Sequence, residues 1–389
     1  MKHAVLLFLP LSIALASAAS SQTGAIGGGR LFRFAGKRDF AGFYLSHARW
    51  NSAAGAIVFQ PAKSGPDEAL WGLVESPDIE IGFAAREMVV SWNSQTPPGS
   101  YLKVYIRTRS GGFWSRRFAV AIWNRDNRPV DRMSVNGQGD DIASMETDIL
   151  RLKRPADAFR VSAKLCSTDG RAYPTLRLLS AYALGPRSPA PRLRARKSVW
   201  GTDLIVPERS QLTIPEGSRF CSATSTAMVL DYWARDLDRP ELSVSLEEAV
   251  AGIYDREWGG TGNWPFNTAY AAEFGGLRAY VTRFSGLAMI EDWIGRGVPV
   301  VVSVDYNVLM KRDTEQSMGH LMVLRGFTRD GDCIINDPYT HLDRGESVRK
   351  VFKREDFVRS WLGEKASHGT VYLIYPEGWK PPANRYLAW

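Results

Sequence analysis

Cysteine is scarce in this chain: three among 389 residues, Cys166, Cys221 and Cys333. So few, and an odd number, exclude a disulfide framework as what holds the fold together and leave at least one thiol unpaired. Histidine is also sparse, with five. No His-x-x-x-His or Cys-x-x-Cys spacing occurs, so no metal site is expected. After the N-terminus, no apolar run approaches the roughly 20 residues that cross a bilayer. The one glycine-rich aromatic stretch, WGGTGNWPFNTAY at 258–270, lacks the Lys and the strand–helix setting of a phosphate-binding loop, and no cofactor is expected.

What is present is an ordinary globular composition, 44% hydrophobic and 23% charged, in a chain long enough for two domains with their own cores. Residues 1–18 read as a secretory signal: Lys2 supplies the positive end, 4–15 the apolar stretch, and Ala16-Ser17-Ala18 a small-x-small cleavage site. The mature protein is therefore expected to be exported, to a periplasm or beyond the cell, with no integral membrane segment. The formal net charge is +8, and much of it sits in GPRSPAPRLRARKS, 185–198. That composition reads as an exposed, basic, Pro-rich linker. Export and the lack of a base-reading motif argue against nucleic acid as a partner.

The linker separates two kinds of pattern. Before it, 28–184 alternates strand-like runs, among them 87–95, 101–109, 113–124, 158–167 and 175–184, with Gly/Pro/Asn turns and no convincing helix signal. This predicts an all-β sandwich. After it, 199–389 carries helical spacing from Cys221 to Trp233, a Ser-capped helix over 243–253 and a short helix over 287–294. Apolar strands then follow at 298–304, 320–327, 333–337 and 371–375. Helices first and antiparallel strands second predict an α+β domain.

Nucleophilic cysteine chemistry needs a thiolate, an imidazole to carry its proton, and a group that fixes the imidazole. Cys221 opens a predicted helix, where unpaired N–H groups favour the anion. His320 begins an apolar strand, and Asp337 ends the next one after the turn TRDGD, 328–332, so a hairpin brings the two side by side. His341, close to Asp337, is the main rival for the imidazole. Gln211 lies ten residues before Cys221. An amide there would serve a developing oxyanion, yet by spacing alone a solvated loop glutamine is the simpler reading. Cys333 reads as a buried strand thiol, and a Cys166–Cys333 bridge would have to cross between domains.

The blocks VPERSQ (206–211), CSATSTAMVLDYW (221–233), GHLMVLRGF (319–327) and INDPY (335–339) occur in the order seen in the bacterial cysteine peptidases of family thirty-nine. The segment 206–375 resembles that group, which includes the double-glycine-leader, bacteriocin-processing peptidases, within the papain-like superfamily. The resemblance implies that Cys221 is the nucleophile, His320 the base and acid, Asp337 the orienting group and Gln211 the oxyanion side chain. Ser222 departs from the family pattern, which has Gly there. The resemblance does not reach the region before the linker.

The expected protein is an exported cysteine peptidase with a papain-like domain, acting on a peptide or protein through an acyl-enzyme. Cell-wall amide hydrolysis or acyl transfer on the same triad is the alternative, as is a non-catalytic protein holding glycan on its sandwich. Ser222, Gly260, Gly262 and Trp264 are the expected substrate contacts. Trp50, Trp71, Trp92, Trp114 and Trp123 suggest glycan platforms by analogy with carbohydrate-binding sandwiches, while core packing is the commoner explanation for most of them.

Overall fold

The computed structural model of the chain describes residues 28–60, 70–186, 193–363 and 366–389. The signal-like segment 1–18 and residues 187–192 of the basic stretch lie outside them. The described end of that stretch is docked rather than free: Arg196 bonds Asp292 through Nε at 2.8 Å and Glu291 through its backbone N–H at 2.6 Å.

The N-terminal region is a large antiparallel sheet. Its main path runs Met133–Ser134, Phe118–Trp123, Ser100–Ser110, Ile149–Ser167, Ile79–Gln95, Thr175–Leu184, Ala56–Phe59, Ala48–Asn51, with further strands branching from it. The expected antiparallel strands are there, but the described residues do not divide into two separate sheets. Two strands of 17 and 19 residues, Ile79–Gln95 and Ile149–Ser167, pass through bulges and change partners along their length. A bulge adds an unpaired residue, bends the strand and increases its twist, so one ladder wraps where two were expected. A four-residue helix, Lys37–Phe40, also interrupts the region. The expected run 113–124 is two strands, Phe113–Trp114 and Phe118–Trp123.

The C-terminal region is α+β. Its six-stranded antiparallel sheet has the order Leu277–Arg283, Thr370–Pro376, Val300–Asp305, Gly319–Phe327, Cys333–Asn336, Arg349–Phe352. The helix Cys221–Asp236 packs on it with twelve buried residues, the polar ones among them, such as Ser222, Thr224, Ser225 and Thr226, held by hydrogen bonds. The helix expected from Ser243 begins instead at Leu246. Ser245 is the cap because its hydroxyl accepts the Glu248 N–H while the Glu248 carboxylate accepts the Ser245 N–H. Ser243 is occupied elsewhere, donating to Asp231 at 2.7 Å. The supposed loop 258–270 becomes helical from Trp264 to Glu273, because Asn263 caps it and Pro265 suits its first turn.

Candidate active site

Cys221 is the first residue of its helix, and no side chain caps that end. The first-turn N–H groups therefore face outward with the positive end of the helix dipole. One turn further along, Ser225 donates to the Leu321 carbonyl at 3.0 Å, pinning the helix to the strand residue beside His320. His320 is the second residue of the strand Gly319–Phe327, opposite Val304, and is almost wholly buried. In the neighbouring strand Asn336 pairs with Val323, so Asp337 follows one step on, across from the His320 end of the hairpin.

His320 links these three residues: its Nε2 meets Asp337 Oδ1 at 2.8 Å, and its ring interacts electrostatically with the Cys221 thiol. With Nε2 taken by the carboxylate, Nδ1 is the atom left for the thiol. Asp337 is fully buried yet well compensated. Its Oδ1 also accepts the Tyr339 N–H at 3.0 Å, and Oδ2 accepts Tyr306 OH and Lys350 Nζ, each at 2.9 Å.

The charges follow from this geometry. Burial pushes the Asp337 carboxyl upward, but hydrogen bonding and charge from His320, then Lys350, bring it down to about 2. Burial pushes the His320 imidazole downward, and its interactions with Asp337 and Cys221 raise it to about 9. Burial opposes a Cys221 thiolate, yet His320, with the backbone amides of Leu321 and Ser222, takes the thiol below its ordinary value. The arrangement favours a thiolate–imidazolium pair. The other thiols are raised by burial, Cys333 strongly, and all three cysteines are free.

Gln211 is fully buried, not solvated. Its Nε2 donates to the Gly217 carbonyl at 2.8 Å, in the turn leading into Cys221, and its Oε1 has no partner. Gly217 is required there: a Cβ would come within 1.8 Å of the Gln211 carbonyl oxygen. Ser222 turns away from the thiol into the core, 2.9 Å from Tyr372 OH, so it neither narrows the approach to Cys221 nor faces a substrate.

The other expected contacts make no hydrogen bond to the triad among the described residues. Gly260 and Gly262 are small because the Trp258 ring lies on them, where added Cβ atoms would meet it at 2.6 and 2.3 Å. Trp264 is half-buried and its N–H binds Asp148 of the large sheet at 2.6 Å. This glycine-rich segment bridges the two regions and also meets the turn before Cys221, where Arg219 donates to the Gly259 carbonyl. His341 faces Asp343 at 3.6 Å, not Asp337. Among the five sheet tryptophans, Trp92 and Trp123 are fully buried, and Trp114 lies under the guanidinium groups of Arg107, Arg109 and Arg160. Only Trp71 is exposed, with Lys164 Nζ 4.2 Å above its ring. Sequence reasoning missed Tyr306 and Lys350, neither of which stands at a telling spacing from Asp337. Among the described residues no three His, Cys, Asp or Glu side chains gather as a metal set.

Two family models match the chain, that of the peptidase C39 N-terminal domain over residues 36–183 and that of the peptidase C39-like family over 204–367. None of the curated proteins matches. Among solved structures, a candidate C39-like peptidase from Bacillus anthracis is 18% identical, with a TM-score of 0.31 over 45% of this chain and 98% of that one. The infectious bursal disease virus Gt strain gives 12%, 0.22, 43% and 35% in the same order. A family 89 glycoside hydrolase from Clostridium perfringens gives 8%, 0.17, 50% and 20%. The two matched segments, separated by residues 184–203, are similar to two parts of the same peptidase group, the C39 N-terminal domain and the C39-like family.

Proposed function

We propose that the protein is an exported cysteine peptidase that hydrolyses peptide bonds through a Cys221–His320–Asp337 triad in a papain-like domain spanning 199–389. One observation carries the reading: His320 holds Asp337 on Nε2 at 2.8 Å while interacting with the Cys221 thiol at the start of a helix. The match of residues 204–367 to the C39-like peptidase family supports it. The papain-like assignment is supported by the order of parts, a cysteine-bearing helix followed by antiparallel strands bearing first the histidine and then the aspartate.

In this mechanism the Cys221 thiolate attacks the scissile carbonyl carbon and the C=O pair moves onto oxygen. The helix-start N–H groups receive that oxyanion, with the second Nε2 hydrogen of Gln211, the first being held by Gly217. Collapse breaks the C–N bond, and the His320 Nδ1 proton passes to the departing amine. Neutral imidazole then takes a proton from water as the oxygen attacks the thioester, releasing the acid and the thiol sulfur, whose charge is again paired with imidazolium. Asp337 keeps the ring oriented throughout.

The substrate is a peptide or protein. Residues 28–184 form an accessory domain, and the signal-like 1–18 supports export to the periplasm or outside the cell. The test is a peptide-library digest comparing the native protein with Cys221→Ala, alongside iodoacetamide labelling of Cys221 near neutral pH. Labelling should exceed that of a model thiol and fall about tenfold or more in His320→Ala. Cleavage that persists in Cys221→Ala, or native labelling no faster than in the denatured chain, rules the triad out.

A further inference from the structure

Beside Asp337 lies an open cleft of about 690 Å³, within the range of small-molecule sites. Tyr306 and Lys350, the two side chains that hold Asp337 Oδ2, both line it. Of the groups lining the cleft, Arg349 pairs with Asp203 at 3.0 Å, His341 faces Asp343, and the Glu346 carboxylate accepts the His341 backbone N–H at 3.0 Å.

Arg312 is different. Its guanidinium lies over the Tyr306 ring at 5.4 Å and meets only Asn307 Oδ1 and the Met318 sulfur. No carboxylate pairs with it among the described residues. Lys350 has donor capacity to spare: three N–H bonds, with contacts only to Asp337 Oδ2 at 2.9 Å and the Tyr339 carbonyl at 3.5 Å. Beside these cations the rim is apolar, with Met310 42% and Val351 48% exposed. An unmatched planar fork, a second ammonium and an exposed apolar rim together fit a carboxylate carried on an apolar body.

We propose that this cleft binds such a carboxylate, with Arg312 as its principal partner and Met310 and Val351 covering the apolar part. The carboxylate has two sources, a free organic acid or an acidic group of the substrate. The second rests on the peptidase reading and the first does not.

Calorimetric titration of the full chain with phenylacetate tests the site without reference to activity. Saturable binding is expected, at least tenfold weaker in Arg312→Gln and at least tenfold weaker for phenylacetamide, which has the same body without the charge. No saturable binding by the native protein, or affinities unchanged by either substitution, overturns the proposal. A peptide-library digest by native protein and Arg312→Gln then separates the sources. A preference for acidic residues that disappears in the variant assigns the carboxylate to the substrate, and an unchanged preference alongside phenylacetate binding assigns it to a free acid.

Discussion

At His320 two groups set one proton, Asp337 on Nε2 at 2.8 Å and the Cys221 thiol, while the Tyr306 ring packs at 4.4 Å. Because the imidazole is raised to about 9 from 6.5, its contribution to stability is complete below 6.5 and is lost as pH rises through about 9. Asp337 acts in the opposite direction. Its carboxyl is lowered to about 2 from 3.8, so its contribution is present above 3.8 and disappears as pH falls through about 2. Asp337→Asn removes the partner that keeps the ring charged, which lowers the imidazole and, with it, the electrostatic support for the thiolate. The acid-side midpoint of Cys221 alkylation should therefore move up toward the ordinary thiol value, with labelling at pH 6 slower by about tenfold or more. A pH series with iodoacetamide on the native and variant proteins measures this, and a midpoint that stays in place would mean that Asp337 does not govern the pair.

The Cys221 helix is the element on which this pairing depends, and Ser222 shows how it is seated. The hydroxyl is buried at the helix start and shares a hydrogen with Tyr372 OH at 2.9 Å, while Trp233 three turns along donates to the Ile374 carbonyl of the same strand at 2.8 Å. Tyr372→Phe leaves the Ser222 oxygen buried without its partner. It should cost about 1–3 kcal/mol in urea unfolding while leaving the rate of Cys221 alkylation in the folded protein within twofold. A larger loss of reactivity would show that this bond positions the sulfur rather than only anchoring the helix. The elements bearing Cys221, His320 and Asp337 were legible in the sequence because each is local: a helical run, an apolar strand, and a short turn that returns the chain beside it. Lys350 and Tyr306 were not. Lys350 reaches Asp337 only because a third strand, Arg349–Phe352, pairs with Cys333–Asn336, and Tyr306 only because Asp305 caps a helical turn after Val300–Asp305. The Trp264 helix was hidden for a different reason. Its glycines drew attention from the Asn263 cap and Pro265, and its purpose lies in contacts with residues more than a hundred positions away.

Across the whole molecule the large sheet and the C-terminal region share a core. Trp92 and Trp123 meet Phe266 edge-on, at 6.1 and 5.2 Å between ring centres. Asn93 exchanges hydrogen bonds with the Ala279 backbone, and buried Arg132 donates to the Tyr254 carbonyl and the Ala251 carbonyl. Glu273, at the end of the Trp264–Glu273 helix, is the most committed of these groups. Its carboxylate accepts Trp123 Nε1 at 2.7 Å, the Thr96 N–H and hydroxyl at 2.8 Å each, and Ser94 Oγ at 3.1 Å. Burial raises its carboxyl, and those four donors act against the shift. Glu273→Ala strands the indole and backbone donors in a dry interface, so roughly 3 kcal/mol or more should be lost. If the regions fold as one unit, that loss reaches both. Exposure of the buried thiols of Cys166, in the sheet, and Cys333 should then move together to lower urea, in a single transition. Two separated transitions, with Cys333 protected after Cys166 has become exposed, would instead show that the C-terminal region holds its structure without the sheet.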